Sequence, residues 1–112
     1  MELTSEVENG VALYHIIGRI DATTCHDLES AIGSAMRGGA SRIIFDLSGV
    51  DFISSAGLRV ILVTAKTAAA AGGGLAIFGV QSVVNEVFSI SGIGKMIPIV
   101  SEETEARAKL GA

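Results

Sequence analysis

The sequence predicts an α/β fold: a mixed, mostly parallel β-sheet that opens with an antiparallel hairpin and is packed by about four α-helices. Three observations carry this expectation. Asn9-Gly10 separates two β-leaning segments, and the tolerance of both residues for positive φ marks a tight hairpin turn. Further along, short apolar runs alternate with stretches of three-and-four periodicity, the pattern of strands joined by crossover helices. Glycines stand where the helical patterns end, at Gly38-Gly39, at Gly72 to Gly74 and at Gly92.

Taken in order, residues 2–8 and 11–17 form the hairpin. Cys25, Leu28, Ala31, Ile32 and Ala35 recur at helical spacing, which predicts a first helix from about Thr24 to Arg37. Arg42 to Leu47 is an apolar run with β-branched residues, as in a strand covered on both faces. From Ser55 onward Leu58, Ile61, Leu62, Ala65 and Ala69 define a second helix with Leu58 at the centre of its buried stripe, ended by the three glycines. Leu75 to Phe78 is a further strand. Ser82 is placed to cap a helix carrying Val84, Val87 and Phe88, Met96 to Val100 forms a last strand, and Ser101 to Leu110 a polar helix with an acidic first turn and Arg107 and Lys109 near its end. In such a sheet the loops at the carboxyl ends of the strands form the functional rim. Asp21, the stretch from Asp46 to Ser55, and Gly79 to Ser82 are therefore expected to gather there.

Composition narrows the function classes. A chain of 112 residues fits one compact domain, residues 1–112, and 49% hydrophobic content with a mean hydropathy of +0.56 supplies an ample aliphatic core. Eight basic against twelve acidic residues give a net charge of −4, and no basic run exists that could neutralise a phosphate backbone, which argues against nucleic acid. With one Tyr, four Phe and no Trp, neither a stacking platform nor an aromatic cage can be assembled. The single cysteine, Cys25, cannot close an internal disulfide, and with His15 and His26 it matches no zinc spacing, so a reducing compartment is expected. The acidic N-terminus does not read as a signal peptide, and Gly72 to Gly74 interrupt the long uncharged stretch, so a membrane span is rejected and a cytoplasmic location expected.

Catalytic motifs fail on their chemistry. Gly94-Lys95 is followed by Met96 where a phosphate loop needs Ser or Thr, and Gly72 to Gly74 precede a strand where a pyrophosphate site needs a helix start. Ile53-Ser54-Ser55-Ala56-Gly57 lacks the first glycine of a nucleophile elbow, and neither histidine has a visible reason to meet Ser55. Lone Asp21 and Asp46, with no lysine between Pro98 and Lys109, do not form a phosphoacceptor aspartate site. No cofactor or metal is implied.

Ser55 remains. Counting about 100° per residue from Leu58 places Ser55 at about 60° and Arg59 at about 100°, on the border between core and solvent. Ala56, Val60, Val63 and Thr67 continue around the outward face, an uncharged patch that suits a protein partner. A plain N-cap serine on a helix covered by neighbours fits the same residues.

The run from Asp46 to Leu62, DLSGVDFISSAGLRVIL, resembles the signature of STAS-domain proteins of the anti-sigma factor antagonist family. Gly18-Arg19-Ile20-Asp21-Ala22, the strand before Asp46, and Gly79 ahead of the third helix also fall in family order. The resemblance implies a STAS domain that is not an enzyme. Its partner would be an anti-sigma factor that is also a serine-protein kinase, released from its sigma factor by the unphosphorylated form, with a serine phosphatase to restore that form. It also implies Ser55 as phosphoacceptor, with Ser54 second because it stands where some members carry Asp, and Asp21 and Asp46 as acidic neighbours. Ser54, Ser55, Ala56, Gly57, Arg59, Val60 and Val63, with Asp21 and Asp46, form the expected partner surface. Other family members act without a phosphoacceptor as subunits of transporters, lipid-trafficking or signalling scaffolds, and a small flavodoxin-like catalyst would use the same rim.

Overall fold

A computed structural model describes all residues from Met1 to Ala112. The strands are β1 (Glu2–Glu8), β2 (Val11–Ile20), β3 (Arg42–Ile53), β4 (Gly74–Phe78) and β5 (Ile99–Val100), and the helices are α1 (Cys25–Arg37), α2 (Ser55–Ala70), α3 (Ser82–Ser91) and α4 (Glu103–Leu110). The strands form one sheet in the order β1-β2-β3-β4-β5, with β1 antiparallel to β2 and the other pairs parallel. Asn9 and Gly10 both adopt positive φ, 54° and 78°, the turn that suits a two-residue hairpin.

Because each parallel strand is added on the same side of the last, crossovers of one hand leave every connecting helix on one face of the sheet. The core shows this. Ala12, Tyr14 and Ile16 of β2, Ile43, Phe45 and Leu47 of β3, and Leu75 and Ile77 of β4 pack with Leu28 and Ile32 of α1, Ile61 and Ala68 of α2, and Val84 and Phe88 of α3. The alternate residues Val11, Leu13, Ile44 and Ala76 point the other way and pack with Ala106 of α4, with Leu110, Phe78 and Val100 beside them. Tyr14 ties β2 to α1: its hydroxyl donates to the Ala31 carbonyl at 2.9 Å, and its ring stands edge-on to Phe45 at 6.0 Å.

Several elements differ from the sequence reading. β2 runs on to Ile20. β3 does not end at Leu47 but continues to Ile53, so Asp46 to Ser55 is not a rim loop; two irregularities in the β2–β3 register absorb its polar residues. Ser82 does not cap α3, since Gln81 holds that position and its Nε2 instead donates to the Ser48 carbonyl at 2.8 Å. The last strand shrinks to Ile99–Val100 because Ile93–Lys95 forms a 3₁₀ turn. Leu58 is only half-buried. α2 approaches the sheet through its small side, Gly57, Thr64 and Ala68, with Val60 and Ile61, so its buried arc centres roughly 100° away from Leu58. No helix is long and apolar enough to cross a membrane.

Candidate functional site

β2 and β3 are neighbours that end in register, Ile20 opposite Ile53, so the loops leaving them open side by side. The first carries Asp21 into α1; the second carries Ser54 into α2. The Ser54 backbone N–H donates to the Ile20 carbonyl at 2.9 Å, binding the second loop to the first. Gly57 explains how α2 can start so close. A Cβ there would stand 2.8 Å from the Ile20 carbonyl oxygen and 2.9 Å from carbons of Ile20 and Ile53.

The two serines have different tasks. Ser54 is the N-cap, with extended backbone and its hydroxyl accepting the Gly57 backbone N–H at 3.2 Å. Ser55 is the first residue of α2 and is exposed, its side chain outside that cap. The buried arc of α2 lies almost opposite Ser55, so the hydroxyl stands further into solvent than a position on the border would place it.

Asp21 joins Ser55 at this end of the sheet. Its Oδ1 accepts the backbone N–H groups of Thr23 and Thr24 and the Thr24 hydroxyl, and Arg19 Nε lies 3.6 Å from Oδ2. The Thr24 backbone N–H, aided by the other donors, holds the Asp21 carboxyl below the usual carboxylate range.

Asp46 does not join them, contrary to the expectation of two acidic neighbours around the serine. It pairs with His15 in mid-strand, five β2 residues before Ile20, which is about 16 Å along a strand. Its side chain lies on the α4 face, where Oδ2 is 2.7 Å from His15 Nδ1 and Oδ1 accepts the Ser48 backbone N–H and hydroxyl at 3.0 and 2.7 Å. Burial alone would raise its pKa, but the Ser48 donors and His15 outweigh that and lower it. The Asp46 hydrogen bond in turn raises the His15 pKa, with Glu6 Oε2 contributing 3.2 Å from the other ring nitrogen. Asp46 and Ser48 thus meet Gly79 and Gln81, and the expected rim divides into two separate clusters.

Between α1 and α2 runs a groove of about 570 Å³. Ser55 and Arg59 stand on its α2 wall with Ala56, Val60, Val63 and Thr67. Val60 departs from the outward patch: only 6% exposed, it is shared between groove and core. Val63 is 53% exposed. The facing wall, with Ile32 and Met36 of α1 and Ala22 of the loop before it, is not legible in the sequence: Ile32 reads as core stripe, and no local signal sets Met36 or Ala22 apart.

These features define a small α/β domain whose two parallel strands deliver two helix starts, and a serine, to one groove. The pattern of the STAS domain matches residues 2–106, and the chain belongs to that family. It is 32% identical over 108 residues to BtrV of Bordetella bronchiseptica, which carries the name of an anti-sigma factor antagonist, covering 96% of this chain and 93% of that one. It is 28% identical over 111 residues to an anti-sigma F factor antagonist of Paenibacillus polymyxa, covering 98% and 95%. Among solved structures, TM1081 of Thermotoga maritima superposes with a TM-score of 0.90 at 20% identity over 98% of this chain and 95% of that one, which attests the fold.

Proposed function

We propose that this chain is a cytoplasmic anti-sigma factor antagonist that works by switching partners. With Ser55 unmodified, the α1–α2 groove and the first turns of α2 dock on an anti-sigma factor that is also a serine kinase, and its sigma factor is released. Phosphorylation of Ser55 by that kinase reverses docking, and a serine phosphatase restores it. The observation that carries this reading is the placement of an exposed hydroxyl outside the helix cap, at the mouth of a groove with an apolar flank. Relatives named as anti-sigma factor antagonists along nearly the whole chain support it.

The energetics are sufficient. A phosphoryl group adds about −1.5 to −2 charge, and the start of α2 returns about 0.3–2 kcal/mol, so the fold tolerates it. The interface does not. Placing that charge against apolar contacts beside ionised Asp21 need cost only about 3–4 kcal/mol to weaken binding several hundredfold. Arg59, one turn on, screens the phosphate while the partner is away. In this reading the chain is a substrate and not an enzyme: ATP and magnesium arrive with the kinase.

The test is binding of the anti-sigma factor to wild type, Ser55→Ala and Ser55→Asp. Binding by the alanine form with loss in the aspartate form supports the switch. Equal affinity of all three would instead favour a non-switching scaffold subunit.

A further inference from the structure

Three donor atoms of different chemistry meet on the α1 wall. Cys25 Sγ, a ring nitrogen of His26 and a carboxylate oxygen of Glu29 lie within 4.8 Å of one another. Helix geometry brings them together: at about 100° per residue Glu29 sits about 40° from Cys25 and His26 about 100°, so one face carries all three. His26 Nδ1 and Glu29 Oε1 are 3.7 Å apart, close to the roughly 3.3–3.8 Å that separates two ligands on a tetrahedral ion with bonds of about 2.0–2.3 Å. Cys25 is 5% exposed, lines the groove, and has only a long 3.8 Å contact to the Ala22 carbonyl.

We propose that Cys25, His26 and Glu29 form a three-ligand site for a zinc-class divalent cation, with the fourth position open to the groove. Thiolate and imidazole select this class over magnesium or calcium, which take oxygen ligands. On binding, the Cys25 thiol releases its proton to solvent and its sulfur, a His26 nitrogen and a Glu29 oxygen replace three of the ion's waters. Adjacent Cys-His with Glu one turn later is neither finger nor ribbon spacing, which is why it escapes a search for zinc motifs. The site stands independently of any role for Ser55.

The full chain is titrated with Zn²⁺ by calorimetry and with Co²⁺ as a spectroscopic probe. One ion per chain is expected, with a thiolate-to-cobalt charge-transfer band. His26→Ala and Glu29→Gln alter exposed side chains, so both fold, and each weakens binding at least tenfold, while His15→Ala binds as wild type does. Absence of the cobalt band, wild-type affinity in the His26 and Glu29 variants, or loss of binding in His15→Ala would each overturn the assignment. The band, read on the wild-type chain, tests the thiol even if a Cys25 variant fails to fold.

Discussion

The Ser54 hydroxyl accepts the Gly57 backbone N–H at 3.2 Å, which makes Ser54 the cap and leaves Ser55 outside it. The two adjacent hydroxyls therefore separate by task. Ser54→Ala removes the cap and lowers stability by about 1 kcal/mol, within the usual range of about 0.5–2 kcal/mol. Under the proposed switch it leaves phosphorylation intact. Urea unfolding and peptide mass mapping after treatment with kinase check the two halves separately.

Gly57 sits where α2 touches the end of β2. Alanine there would gain about 0.5–1 kcal/mol of helix preference but force a Cβ to 2.8 Å from the Ile20 carbonyl oxygen. Overpacking against a backbone atom wins, and Gly57→Ala should be about 1–2 kcal/mol less stable than wild type in denaturant melts. A gain in stability would mean that the two loops can separate freely.

Val63 is half exposed in the groove and carries little of the core. Val63→Asp should change stability by no more than about 0.5 kcal/mol. Affinity for the anti-sigma factor should nonetheless fall at least tenfold, measured by calorimetry, if the groove is the docking surface.

The His15–Asp46 pair gives a pH dependence. Asp46 is held below its ordinary pKa, so its contribution is present above about pH 4 and is lost as pH falls through its native value. His15 is held above its own, so its contribution is full below about pH 6.5 and is lost as pH rises through its native value. The pair therefore stabilises most between about pH 4 and 6.5. The difference in urea midpoint between wild type and His15→Gln should be largest in that window and shrink above it; a difference constant from pH 5 to 9 contradicts the assignment.

The hairpin, the order of elements and the helical serine were legible because Asn9-Gly10, the alternation of periods and the long α2 pattern are local signals. What was not legible depends on neighbours. Hydrophobicity put Leu58 at the core centre, whereas the helix seats itself through Gly57, Thr64 and Ala68, whose small size permits a close approach that no apolar scale rewards. Asp46 reads as a strand-end residue because Ser48, Gly49 and Asp51 look like a loop; register irregularities against β2 absorb them, and the strand that continues to Ile53 leaves Asp46 far from Ser55. The α1 wall emerges only once the two helices are set side by side.

The central claim concerns one hydroxyl, and the most direct measurement is to phosphorylate the chain with its kinase and ATP, map the modified peptide, and compare the affinity of both forms for the anti-sigma factor. The account predicts a single phosphate on Ser55 and affinity lowered several hundredfold. A phosphate elsewhere, or equal binding by the two forms, would contradict it.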